Sequence, residues 1–190
     1  MMDNWSLGSG GGVRRTHYET AFQQYLDGRG TPYVAIEDVR HGVKGRTGIK
    51  SFDYIVYPVG GRPCLVDVKG RKSAPPRGGA DWRPKNWVTR ADVVGLTEWP
   101  TVFGGDYEAV FVFAYWLVGA VDESGVAVGR RCAAAMTLAG RAYSFWLVRV
   151  AEYARHQRQI SRRWDTVAIP HDVFRSIAHR VETCWPAAPC

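Results

Sequence analysis

Cysteine is scarce in this chain and nowhere paired. Cys64, Cys132, Cys184 and Cys190 form no CxxC spacing, and no histidine stands near one at a zinc-ligand spacing, so the pattern offers no structural zinc. Cys64 and Cys132 lie in apolar stretches and read as small core residues, while Cys184 and Cys190 sit near a proline-rich end as candidate exposed thiols. The opening MMDNWSLGSGGG carries no apolar secretion core, so the expected compartment is the reducing cytoplasm. The longest apolar run, Ala109 to Val121, falls short of the ~20 residues that cross a bilayer, and no membrane partner is expected. Acidic residues are outnumbered, 18 against 25 Lys and Arg, and the net charge of +7 favours polyanions such as nucleic acid.

Large apolar groups are plentiful. Hydrophobic residues make up 46% and aromatics 13%, which excludes intrinsic disorder as the main state. A chain of 190 residues suits one domain that buries about 70% of its unfolded surface without staples. The expected organisation is a Gly- and Ser-rich flexible leader over 1–13, a single domain over 14–180 and a tail over 181–190.

Thr16 to Asp27 carries Tyr18, Ala21, Phe22, Tyr25 and Leu26 at helical spacing, with Thr16 as N-cap and Glu19 placed for a capping box. Extended segments follow at Tyr33–Glu37, Ser51–Tyr57 and Pro63–Lys69, the last two joined by a turn marked by Pro58, Gly60 and Gly61. Residues 71–86 read as a basic loop. Thr89 to Trp99 is the second helix, capped by Thr89 with Asp92 at its third position. Tyr107–Leu117 has the composition of a central strand covered on both faces. Cys132–Leu138 and Arg141–Val150 are two more strands around Gly140, followed by a helix from Val150 into Arg158, a strand at Asp165–Ile169 and a helical turn at His171–His179. This order describes a mixed α/β sandwich.

The segment Cys64-Leu65-Val66-Asp67-Val68-Lys69 carries the strongest chemical signal. Alternation in a strand sets Leu65, Asp67 and Lys69 on one face and Cys64, Val66 and Val68 on the other. A carboxylate and an amine on an apolar strand need partners, because burying either charge alone costs several kcal/mol. The competing account is an edge strand with a wet polar face. Asp53 heads the preceding strand. A hairpin loop of three or five residues would set it opposite Asp67 on the same face, whereas a two-residue turn at Gly60-Gly61 would send the two to opposite faces. Facing carboxylates repel unless a cation lies between them, and two carboxylates plus a backbone carbonyl suit Mg²⁺ or Mn²⁺. For Asp53 the plainer role is a bond to its own backbone, and for Glu19 it is the capping box.

The runs His17-Tyr18-Glu19-Thr20-Ala21-Phe22, Lys50-Ser51-Phe52-Asp53 and Val66-Asp67-Val68-Lys69-Gly70-Arg71 resemble the HYExAFE family of the PD-(D/E)XK nuclease superfamily. The likeness spans about Arg14 to Phe174 and takes in Asn86-Trp87-Val88-Thr89, Phe103-Gly104 and Arg163-Trp164-Asp165-Thr166-Val167. Gln23 stands where the family name has a glutamate, outside the catalytic pattern. The resemblance implies a restriction-endonuclease-like mixed sheet flanked by helices, and a Mg²⁺- or Mn²⁺-dependent nuclease acting on DNA rather than RNA. It assigns Asp53 and Asp67 to the metal with the Val68 carbonyl, Lys69 to the attacking water, and Glu19 to completing the metal site. It also leaves a homodimer open as an assembly.

Lys50 and Ser51 are further candidates for contact with a phosphate. Arg71, Lys72, Arg77, Arg83 and Lys85 interleave with Trp82 and Trp87, which suits a phosphate backbone and a stacked base but also a solvated loop pinned by its tryptophans. Arg155, Arg158, Arg162 and Arg163 form a second basic cluster. The leading function is the metal-dependent nuclease; a non-catalytic nucleic-acid-binding module on the same fold, or a partner-binding scaffold, are the alternatives.

Overall fold

The structure, a computed structural model, describes residues 15–36, 50–74, 83–119 and 136–187. The expected leader, Glu37, Arg77, Trp82, Cys132 and Cys190 lie outside those residues. The first helix, α1 (His17–Gly28), starts on a complete capping box: the Thr16 side chain accepts from the Glu19 N–H, and the Glu19 carboxylate accepts from the Thr16 N–H. Its buried stripe is Ala21, Phe22, Tyr25 and Leu26, the face expected from the spacing.

Strands β1 (Tyr33–Ala35), β2 (Tyr54–Val56) and β3 (Cys64–Ser73) follow, then β4 (Val88–Thr89) and helix α2 (Arg90–Phe103). A second full capping box, Thr89 with Asp92, opens α2, and left-handed Gly104 closes it. The helix outruns its expected end at Trp99 and passes through Pro100, because Trp99 and Phe103 both pack edge-on against Phe52. Strand β5 (Glu108–Leu117) is buried along nearly its whole length. Strands β6 (Met136–Leu138) and β7 (Arg141–Arg149) turn about Gly140; helix α3 (Val150–His156), strands β8 (Arg158–Ser161) and β9 (Thr166–Ala168), helix α4 (His171–Ile177), strand β10 (His179–Arg180) and helix α5 (Val181–Cys184) complete the chain.

The main sheet runs β1-β2-β3-β5-β7-β10, with β6 also on β7; β4-β9-β8 form a second, small sheet. Among the described strands only β3 and β5 are parallel, paired over ten residues from Cys64↔Glu108 to Ser73↔Leu117. One face of the main sheet packs on α2, α3 and α4 through Leu65, Phe111, Phe113, Val93, Tyr153 and Phe174. The opposite face packs on α1 and α5 through Val66, Val112, Phe145, Phe22, Val181 and Trp185. The α/β class and the central mixed sheet flanked by helices are those expected.

Several boundaries differ from expectation. The strand foreseen from Ser51 begins at Tyr54, since Asp53 leaves the ladder to hydrogen-bond elsewhere. The basic loop foreseen from residue 71 starts later, because pairing with β5 carries β3 through Arg71, Lys72 and Ser73. Arg158 closes no helix; it opens β8, which pairs with β9. His179 belongs to β10 rather than to the last helical turn. The expected tail begins as α5 with Val181 and Trp185 buried, and Cys184 packs partly buried against the same core.

Gly70 is the tightest point between α1 and the sheet. A Cβ there would lie 2.1 Å from Cδ2 of Tyr18, whose ring also packs on His17 and Tyr143. Gly70→Ala is expected to destabilise the fold by about 1–3 kcal/mol in chemical denaturation. Tyr18→Ala in the same chain should recover part of that loss in a double-mutant cycle; additive losses would contradict the packing argument.

Candidate functional site

The register of the β2–β3 hairpin decides whether two aspartates can meet. The pairs are Tyr54↔Val66, Ile55↔Leu65 and Val56↔Cys64, which extrapolates to Asp53 opposite Asp67. That is the outcome of the odd-length loop rather than the two-residue turn. At Asp53 the chain bends off the ladder. Its N–H donates to the Val66 carbonyl at 2.8 Å, its carbonyl accepts from Ile36, and its carboxylate accepts from the Val68 N–H at 2.6 Å. The bond to its own backbone weighed for Asp53 is not the one this carboxylate makes here: it reaches across to the strand that carries Asp67.

Helix α2 holds the approach to Asp53. Gly95 lets the helix lie against the chain at Lys50, where an added Cβ would meet the Lys50 nitrogen at 3.0 Å. The Trp99 indole N–H donates to the Lys50 carbonyl at 2.8 Å, and Phe52 is buried beneath it. Asp53 is therefore positioned from two sides.

Asp67 and Lys69 project from an interior strand, between β2 and β5, so the wet-edge account fails. Asp67 is 6% exposed. The Lys69 ammonium lies 2.7 Å from Asp67 Oδ2 and 3.0 Å from Asp92 Oδ1, and Lys50 also pairs with Asp92. Burial by itself would lower the Lys69 pKa, but the carboxylates of Asp67 and Asp92 outweigh it and hold the amine protonated. Asp92 reaches about 2: burial opposes ionisation, and the Lys69 charge with the Lys50 and Thr89 hydrogen bonds overcomes it. Burial pushes the Asp67 carboxyl upward, and Lys69 pulls it back without cancelling the rise. Asp53 is raised to about 7 by burial first and by the Asp67 charge second.

The other candidates are spread over three places. Glu19 stays with its helix: its carboxylate takes the Thr16 N–H at 3.1 Å and the Thr16 hydroxyl at 3.0 Å, and no hydrogen bond joins it to Asp53, Asp67 or Lys69. Its field reaches Asp53 as a lesser contribution to the raised pKa. Lys50 and Ser51 are exposed beside Asp53. Arg71 stacks 3.8 Å from the Trp87 ring centroid and donates to the Gly70 and Trp87 carbonyls. Lys72 lies over Trp116 on the opposite sheet face, and Arg162 and Arg163 occupy the turn between β8 and β9. Among the described residues, no group of three or more His, Cys, Asp or Glu converges as a metal site.

Asp92 is the site residue that sequence reasoning missed. It was visible only as the acid of a capping box, and nothing local signals that its second oxygen faces Lys69.

No family model and no curated protein matches the chain. Hjc, a Holliday junction resolvase from the archaeal hyperthermophile Archaeoglobus fulgidus, is similar in structure at a TM-score of 0.48 and 14% identity, over 88% of this chain and 95% of that one. No helix among the described residues is long and apolar enough to cross a membrane.

A carboxyl raised in the folded state binds more protons folded than unfolded, so stability falls as pH climbs from about 4 to about 7. In metal-free buffer, Asp53→Asn, which keeps an acceptor for the Val68 N–H, should be more stable than wild type at pH 8 by about 1–3 kcal/mol, a gain that vanishes near pH 4. Thermal melts across pH check this.

Proposed function

We propose that the chain is a metal-dependent phosphodiesterase of the PD-(D/E)XK kind that hydrolyses nucleic acid, DNA in preference to RNA. The observation that carries this reading is the buried pair at the mouth of a hairpin: Asp53, raised by burial and by the Asp67 charge, and Asp67, with the Lys69 ammonium 2.7 Å from Asp67. A divalent cation fits this donor set. Two buried carboxylates that repel are stabilised by a hard dication, and Mg²⁺ or Mn²⁺ prefers carboxylate and carbonyl oxygens. Asp53, Asp67 and the Val68 carbonyl would hold it. When bound, such an ion polarises the phosphoryl oxygen and acidifies a coordinated water.

The chain's own groups divide the remaining work. Lys69, kept charged by two carboxylates, orients the attacking water and balances negative charge that grows on the phosphoryl oxygens. Asp92 fixes the Lys69 amine from the far side. Lys50 is half-exposed beside Asp53 and able to meet a phosphate. Glu19 adds negative potential at Asp53 while its oxygens cap α1. That last feature, together with the lack among the described residues of three converging acids placed to hold a metal, favours one second reading: a nucleic-acid-binding module on the same scaffold.

Supercoiled, linear, branched and single-stranded DNA, with single-stranded RNA in parallel, incubated with Mg²⁺ or Mn²⁺ should separate the two. Wild type is expected to cleave, and Lys69→Met and Asp67→Asn to lose on the order of 10²–10³-fold while still folding. Equal cleavage by wild type and Lys69→Met would discard the catalytic assignment. Salt-sensitive binding without cleavage would leave the binding module.

A further inference from the structure

The hairpin of β8 and β9 projects from the small sheet and ends in the turn Arg162-Arg163-Trp164-Asp165. Trp164 is 68% exposed, the most exposed large hydrophobic side chain among the described residues. Leaving an indole in water forfeits the free energy of burying it. The turn that carries it is nevertheless well bonded. The Trp164 N–H donates to the Ser161 hydroxyl at 3.2 Å, and Asp165 adopts a left-handed φ of 41°. A bulge between Gln159 and Ser161 leaves Ile160 outside the ladder, also exposed.

The charge leading up to this indole along the chain is positive. Residues 153–164 hold Arg155, Arg158, Arg162 and Arg163 and no Asp or Glu. Arg163 lies 5.1 Å from the Trp164 ring centroid. The nearest acid in sequence, Asp165, is already paired with Arg90 at 3.1 Å. Those contacts also locate the hairpin. The Arg90 N–H donates to the Asp165 carbonyl, β4 pairs with β9, and two residues after Arg90 stands Asp92, the partner of Lys69. The exposed indole thus belongs to an arm tied to the start of the helix that holds the candidate site.

An aromatic face framed by arginines suits a nucleobase between phosphates. In a duplex that face is covered by its neighbours, so only unpaired nucleotides can stack on a side chain. We propose that this hairpin is a recognition arm for single-stranded nucleotides adjoining the cleaved bond, with Trp164 stacking on a base and Arg162 and Arg163 taking flanking phosphates. The assignment of the adjoining bond rests on the nuclease reading above; the stacking does not.

The test uses the full chain carrying Lys69→Met, so that binding is read without turnover. The probes are a single-stranded oligodeoxynucleotide containing 2-aminopurine, its duplex and the single-stranded RNA of the same sequence. Binding should quench 2-aminopurine in the single strand. Trp164→Ala should remove the quench and weaken single-strand affinity roughly 10-fold, with duplex affinity changed less than about 2-fold. Trp164→Phe, which preserves a ring, should stay within about 3-fold of the parent. Arg162→Gln and Arg163→Gln should each lower the salt slope by about 0.7 on the single strand. A Trp164 effect on DNA alone or on RNA alone identifies the strand that is read. Unchanged affinity in Trp164→Ala, or equal loss on duplex and single strand, would overturn the arm. Trp164-dependent binding by a wild-type chain that cleaves nothing would retain the arm and remove the nuclease; absence of binding to every probe would remove both.

Discussion

Carboxylates that approach one another in the dry interior of a sheet must share a cation, keep a proton or come apart, and the centre of this protein is arranged around that constraint. Asp67 lies on the inner strand β3 with almost no solvent, and the hairpin register brings Asp53 back beside it. Lys69, two residues on and on the same face, supplies one positive charge. Asp92 then competes for that charge from α2. Fully ionised, Asp53, Asp67 and Asp92 stand against Lys69 and Lys50, three negative groups to two positive. Burial first, and the Asp67 charge second, make Asp53 hold its proton to about pH 7.

Much of the surrounding architecture follows from keeping this cluster in place. Parallel pairing of β3 with β5 places Asp67 and Lys69 on one face of an interior strand, and the Asp92 carboxylate holds the Lys69 amine there. The close pass of α2 at Gly95 and the indole bond from Trp99 to Lys50 hold the segment that ends at Asp53. On the other face, the Tyr54 hydroxyl donates to the Glu19 carbonyl and ties β2 to the start of α1. The basic groups are carried outside this rigid centre, on the end of β3 and on the second sheet.

Local patterns were legible where the physics is local. Both capping boxes could be read because an N-cap hydroxyl and an acid three residues later satisfy the same orphan amides in any context. The two faces of β3 followed from alternation, and the burial of β5 from its unbroken run of aromatic and β-branched residues. Of the small sheet, β9 was legible within the strand expected at Asp165–Ile169, whereas β4 and β8 are two and four residues long, too short for a period to develop. The turn of chain at Val181 and Trp185 looked like a tail because proline and small residues surround it, yet two large apolar groups were enough to dock it.

The residue types of the candidate site and its placement on a hairpin come from composition and alternation alone. Whether Asp53 met Asp67 depended on the register, and the chain between the strands was compatible with either parity. Burial settled it: Tyr54 and Val56 belong to one core and Ile55 to the other, and a slip of one residue would exchange them. The pairing of Asp92 with Lys69, the diversion of Glu19 to its helix cap and the standing of Trp164 at the rim join residues far apart in the chain. Contacts of that kind arise when helices dock on a finished sheet, and no spacing along the chain encodes them.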